Sequence, residues 1–304
     1  MVYEDNVVKK MKTAFENLKG ALGLPDNLRK FLDMTRSFVP DVVISDFESW
    51  TYTFAKSRNA PIISIDNMQV IARCHHDDAL IREDLKDFLV AKRIVRAKLS
   101  RCNRYLITSF FYPPTKRPRT SLHPPILRDV VLKAKDKVRT GEHVLVYQSG
   151  TSHDSLVDEL KRVQVPFRVY GLKRDLSEPL QDDNVTHCPF SEAGFIEDLA
   201  TAKAVIAGGG FTLMGEAVFL GKPMLSVPLV GQFEQALNAN YLQALGYGQR
   251  APAVTADGIE SFLAQSQRYT DNLRAFEHDG NTGVFDTLEQ AMQDAVKEGA
   301  RGVD

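Results

Sequence analysis

Between residues 143 and 246 the chain repeats one alternation: a short apolar run, a turn, then a stretch with helical spacing. The runs are "HVLVYQSG", "FRVYG", "NVTHCPF", "KAVIAGGG" and "PMLSVP", and helical segments read at 153–164, 192–201, 212–220 and 233–246. Short strands that are apolar throughout, rather than at alternate positions, are buried on both faces, and strands joined through helices pair in parallel. The pattern predicts a doubly wound α/β domain.

The first half carries a shorter version of the same pattern. "DVVISD" (41–46) and "PIISID" (61–66) flank the helical "ESWTYTFAKSRNA", a βαβ unit. A basic helix covers about 80–100, "RYLITS" (104–109) reads as a third strand, and residues 4–38 read as helix broken near "GLPDN". Pro113, Pro114, Pro118, Pro124 and Pro125 then predict irregular chain. With the charged stretch 133–142 they put the linker near 128–142, hence domains at 1–130 and 140–304. A chain of 304 residues suffices for two cores. The fold class expected is α/β, a pair of Rossmann-type domains of which the first, with about three strands, is incomplete.

Charge is unevenly divided. Residues 1–140 hold 26 Lys and Arg against 16 Asp and Glu, while 141–304 hold 12 against 23. Only the first half is suited to an acidic partner, or its charge is a solvated face; no nucleic-acid partner is expected. The three cysteines make no CxxC pair, and no apolar run approaches the roughly 18 residues of a spanning helix. The N-terminal segment lacks the apolar core of a signal peptide, so the expected location is cytoplasmic.

"AGGGFTLMGEAVFLGKPMLSVP" (207–228) carries the chemistry. Gly208-Gly209-Gly210 lacks the third glycine of a dinucleotide fingerprint, and Glu216-Ala217 stands where a P-loop needs Lys and Ser or Thr. What is left is close backbone approach at a strand end followed by a helix start, with Thr212 as the expected cap and its amides suited to a phosphate. Glu216, one turn on, can accept from vicinal ribose hydroxyls or simply complement the helix dipole. Glu234, Gln235 and Asn238 open the next long helix and are sugar-hydroxyl ligands by type, or its polar caps.

Residues 189–248, "PFSEAGFIEDLATAKAVIAGGGFTLMGEAVFLGKPMLSVPLVGQFEQALNANYLQALGYG", with "DVVISDFES" in the first half, resemble the GT-B-fold nucleotide-sugar glycosyltransferases, especially relatives of MurG. The resemblance implies that Ser149, Gly150, Thr151, Gly209, Gly210, Phe211 and Thr212 lie near a diphosphate and Glu216 at the ribose. It implies that Phe190 marks the loop whose backbone meets uracil, and that Glu234, Gln235 and Asn238 hold the donor sugar. Glu234 departs from the usual Gln-Gln, and the front of the chain departs more: the expected strand, glycine-rich loop and helix are absent, as if the N-terminal βαβ segment were missing.

An inverting transfer needs a base, for which Asp46, Glu48 and Asp66 are candidates at strand ends; each is equally suited to capping a helix. "CHHDD" (74–78) lacks the spaced partners of a metal site, and no D-x-D tripeptide is present, so neither metal nor cofactor is expected beyond the co-substrate. "SGTSHD" (149–154) lacks the flanks of a nucleophile elbow. The expected function is transfer of a hexosyl group from a UDP-sugar to an acceptor hydroxyl. The alternatives are a UDP-sugar-binding subunit completed by a partner or a second copy, and a UDP-sugar epimerase or hydrolase. Lys92, Arg93, Arg96, Lys98, Arg101, Lys116, Arg117 and Arg119 point to an anionic acceptor, lipid-linked or a cell-envelope glycan, or to peripheral contact with an anionic membrane at its inner face.

Overall fold

The structure, a computed structural model, describes residues 3–4, 7–8, 24–148 and 154–299. Two compact units divide it, one from 24–126 with 281–299 and the other from 127–280 with residues 3–4 and 7–8.

In the first unit β1 (Val43–Ser45), β2 (Ile62–Asp66), β3 (Arg104–Thr108) and β4 (Thr120–His123) lie side by side in that order, every pair parallel. Helix α1 (Leu24–Met34) precedes them, α2 (Ser49–Arg58) joins β1 to β2, and α3 (Gln69–Arg73), α4 (Asp78–Ile81) and α5 (Leu85–Lys98) follow β2. Of the helix expected over 4–38, Leu24–Met34 is α1, residues 5–6 and 9–23 lie outside the described residues, and Tyr3–Glu4, which belongs to the second unit, pairs with Val7–Val8. Asn59, in the left-handed region at φ 53°, ends α2 as short polar residues can. Val43, Phe54, Ala55, Ile62, Leu99 and Tyr105 pack into one core.

β4 corrects the expectation of irregular chain. Pro118 and Pro124 flank the strand and none interrupts it, so its ladder to β3 is complete: Tyr105 N donates to Arg119 O at 2.9 Å and Ser109 N to His123 O at 2.8 Å. β4 is an edge strand, where neighbouring prolines are tolerated. On α5, Leu85, Leu89, Val90 and Ile94 are exposed, beside exposed Lys86, Arg93 and Arg96.

The second unit holds β5 (Val144–Tyr147), β6 (Phe167–Tyr170), β7 (Leu180–Asp182), β8 (Val185–His187), β9 (Ala204–Ala207), β10 (Met224–Ser226) and β11 (Gly248–Arg250), ordered β11-β10-β9-β5-β6-β8-β7. All pairs are parallel except β7 with β8. Its helices are α6 (Asp129–Ala134), α7 (Asp154–Lys161), α8 (Glu192–Thr201), α9 (Phe211–Phe219), α10 (Phe233–Ala244), α11 (Ala256–Ala264) and α12 (Ser266–Leu273). Val144, Val146, Phe167, Val169, Ile206, Leu225, Ile259 and Phe262 build the core, each contributing about 1.5–3 kcal/mol by burial.

Two boundaries differ from expectation. The segment 128–142 is not a linker, because α6 and a 3-10 turn at Lys135–Lys137 fold onto the second unit. Val131 is fully buried and Lys135 Nζ donates to Phe219 O at 2.5 Å. Nor does the second unit run to residue 304. Helix α13 (Thr282–Glu298) sets Leu288, Ala291, Met292 and Ala295, at helical spacing, against Ile63 and Leu106 of the first unit's sheet. Asn103 Nδ2 donates to Gly299 O at 2.9 Å, and Arg104 pairs with Glu298 at 2.7 Å. An ion pair this exposed adds at most about 1 kcal/mol, so apolar packing decides where α13 belongs.

Candidate functional site

Strand order in the second unit reverses between β5 and β9. The chain steps from β5 through α7 to β6 on one side, then returns to β9 on the other and moves outward through β10 and β11. Open α/β sheets bind ligands at such a switch point, beyond the carboxyl ends of the strands. Ala207 pairs with Tyr147 across the ladder, so the chain after each leaves the sheet at the same point. Ser149, Gly150 and Thr151, expected near the diphosphate, lie outside the described residues; Gly208, Gly209 and Gly210 are described.

The three glycines differ in what they permit. A Cβ on Gly209 would stand 2.4 Å from Gln235 O and 2.7 Å from Gln235 Cβ, so only glycine lets the loop touch the start of α10; at Gly210 the same position meets nothing within 4 Å. Gly210, not Thr212, caps α9, with extended backbone at φ −64° and ψ 130°. Thr212 is the second helical residue and exposed. This corrects the expected cap: a glycine brings no side-chain oxygen to the first turn of α9.

Gln235 and Asn238 hold this loop. Gln235 Oε1 accepts from Gly209 N at 3.2 Å and from Leu229 N at 3.0 Å, while fully buried Asn238 donates from Nδ2 to Gly209 O at 3.1 Å. Ser226 Oγ donates to Gly208 O at 3.3 Å. Two of the three residues expected at a sugar thus have their amide groups turned to the glycine backbone. Glu234 is half-buried in the first turn of α10. Phe190, in the loop after β8, is 87% exposed, and Ser191 caps α8 by accepting from Gly194 N at 3.2 Å.

Glu216 lies in the described part of α9 with its side chain only 4% exposed. Burial raises its carboxyl above the ordinary range, Arg128 opposes this and Glu192 adds to it. Arg128 donates from Nε at 3.1 Å and Nη2 at 2.8 Å to the same oxygen, Oε1, and from Nη1 to Glu192 Oε1. Sequence reading missed Arg128. It stands 88 residues from Glu216, and no local pattern signals such a pair.

In the first unit two of the three candidate bases, Glu48 and Asp66, have structural partners. Glu48 caps α2, accepting from Trp50 N at 2.8 Å and Thr51 N at 2.7 Å. Burial raises its carboxyl, but those amides outweigh it and hold the group below its ordinary range. Asp66 is buried, pushed up to about 6 chiefly by desolvation, and accepts from Ser64 Oγ at 2.5 Å and Gln69 N at 2.8 Å. Asp46 is exposed just beyond β1. In "CHHDD", Cys74 is buried, burial lowers His76 to about 4, and Asp77 caps α4. Among the described residues no three His, Cys, Asp or Glu side chains converge as a metal site, and no helix is long and apolar enough to cross a membrane.

The sequence model of glycosyl transferase family 1 matches residues 1–266. The chain belongs to glycosyl transferase family 1. Solved structures agree on the architecture. The glycotransferase of kitacinnamycin is similar with a TM-score of 0.62 and 16% identity, over 95% of this chain and 85% of that one. Phytolacca americana UGT2, solved with UDP-2fluoro-glucose and pterostilbene, is similar with a TM-score of 0.64 and 15% identity, over 96% and 83%. At such identity the likeness concerns the fold, a GT-B-like pair of Rossmann-type units. An uncharacterized glycosyltransferase of Methanosarcina mazei is 34% identical over 102 residues, 30% of this family 1 chain and 27% of that protein. The match thus spans about a quarter of that relative's length.

Proposed function

We propose that this chain transfers a hexosyl group from a UDP-sugar to an acceptor hydroxyl, with inversion, and that its second unit is the donor site. The observation that carries the reading is a buried carboxylate, Glu216, one turn into a glycine-capped helix at the sheet's switch point. Amides at the start of α9 would meet the diphosphate, and Glu216 would accept from the ribose hydroxyls. The neighbour solved with UDP-2fluoro-glucose supports the choice of donor class. The narrower likeness of residues 189–248 to MurG relatives belongs to the same proposal.

Chemistry follows from these parts. A base takes the acceptor proton, the oxygen attacks the anomeric carbon, and negative charge moves to the departing UDP, where helix amides stabilise it. The base is sought at Asp46 or Asp66 in the first unit; Glu48, bonded to two amides, is the weakest of the three. Gln235 and Asn238 support the donor sugar by fixing the glycine loop, and Phe190 marks the nucleobase end.

Calorimetry with UDP and several UDP-sugars tests the donor reading. Glu216→Ala should weaken UDP by about 1.5–3 kcal/mol, the scale of hydrogen bonds to charged groups; unchanged affinity removes the ribose assignment. UDP release that requires an acceptor supports transfer. Release without one indicates an epimerase or hydrolase, and binding without turnover a subunit awaiting its partner. The exposed apolar residues of α5 beside Lys86, Arg93 and Arg96 favour an acceptor reached at an anionic membrane surface. Vesicle binding should then fall when anionic lipid is withdrawn, and binding that is indifferent to lipid charge rejects this part.

A further inference from the structure

Glu216 has two requirements as a ribose ligand: it must be ionised, and it must keep an oxygen available. Neither is assured at its position. The carboxyl is buried on α9, where desolvation favours the neutral acid. A neutral carboxyl carries its own proton and loses the capacity to accept from both hydroxyls of a diol.

The geometry around it answers both requirements. Arg128, immediately before α6, brings two donors to Glu216, and both fall on Oε1, at 3.1 and 2.8 Å. Oε2 is outside this fork. The third donor of the guanidinium goes to Glu192 on α8, which fixes the fork from the other side. Arg128 is itself 46% exposed while Glu216 is 4% exposed, so the cation bridges the buried acid and solvent.

We infer that Arg128 is a positioning residue of the donor site: its fork fixes Glu216 by Oε1, so that Oε2 is presented to the ribose diol. The inference rests on the donor reading above. Arg128 touches Glu216 and Glu192 rather than the reacting atoms, and its effect on the nucleotide is exerted through Glu216. The charged groups facing Glu216 are Arg128 and Glu192, and they act in opposite directions on its proton affinity.

The test measures binding of UDP and of 2′,3′-dideoxy-UDP to the wild type, Arg128→Met, Arg128→Lys and Glu216→Gln across the range pH 5 to 8. Arg128→Met should weaken UDP about tenfold near neutrality, the scale of one charge-assisted bond. It should leave the dideoxy ligand within about twofold, because that ligand makes no demand on the carboxylate. The acid-side loss of UDP affinity should begin at higher pH in Arg128→Met than in the wild type, since without the cation burial and Glu192 act on Glu216 unopposed. Arg128→Lys, which keeps the charge but not the fork, should restore the pH profile and part of the affinity. Equal weakening of both ligands by Arg128→Met would overturn the inference, as would unchanged or tighter UDP binding. A wild type that binds no UDP removes the donor reading itself. A UDP site lost in Glu216→Gln yet indifferent to Arg128→Met removes only the role of Arg128.

Discussion

The carboxyl edges of the two sheets are built from the same kind of parts and use them differently. In the first unit the acids are joined to backbone: Glu48 accepts two amides at the start of α2, and Asp66 accepts one at the start of α3 together with Ser64 Oγ. In the second unit the helix at the switch point starts on Gly210, and its acid, Glu216, faces a guanidinium. A side-chain cap satisfies the amides that would otherwise receive an anion. A glycine in the place of a capping side chain, as at Gly210, costs only a few tenths of a kcal/mol.

The contrast can be broken at either edge. The largest effect should come from Gly209→Ala, because its Cβ would stand 2.4 Å from Gln235 O; overpacking of this kind costs about 3 kcal/mol. Thermal melts should show that loss together with loss of UDP binding, whereas Gly210→Ala, with open space, should lose no more than about 1 kcal/mol, because alanine is a poorer cap than glycine. A wild-type melt for Gly209→Ala would mean the loop and α10 are not in contact.

Asp66 gives an effect of similar size that depends on pH. Its folded carboxyl, near 6, exceeds the unfolded value, so the native state binds the extra proton and its stabilising contribution is complete below about pH 4 and lost as pH rises through about 6. A shift of about two units corresponds to about 3 kcal/mol. Asp66→Asn should therefore gain on the wild type by about that amount between pH 4 and 7 in denaturant titrations; parallel profiles would mean the carboxyl titrates normally.

Glu48→Ala is the smallest, a loss of about 1 kcal/mol of stability typical of a removed cap. It should leave UDP affinity unchanged. A loss of turnover with intact stability would instead restore Glu48 as a base.

Legibility followed burial. The strand at 204–207 is apolar along its whole length because both faces are covered, that at 144–147 is apolar and buried up to Tyr147, and such runs are visible without a structure. β7 ("LQD") and β11 ("GQR") are edge strands of three residues with polar side chains, and nothing in them alternates. The helix over 282–298 has an amphipathic stripe, but a stripe does not name the sheet it will cover. Thr212 reads as a cap by residue type, whereas the backbone at Gly210 decides where α9 begins. The glycine break and the acid near it were legible as a candidate site; that Gln235 and Asn238 bond the loop, and that Arg128 pairs with the acid, depends on contacts between residues far apart in the chain.

Because α13 covers the first sheet, the polypeptide from residue 24 onward passes from one unit to the other twice, at 126–127 and again at 280–281. A protease that severs either passage alone leaves residues 127–280 covalently joined to some part of the other sheet's fold. Releasing them as an autonomous fragment takes both cuts, and a gene trimmed of its last twenty codons would strip cover from Ile63 and Leu106 while leaving residues 127–280 whole.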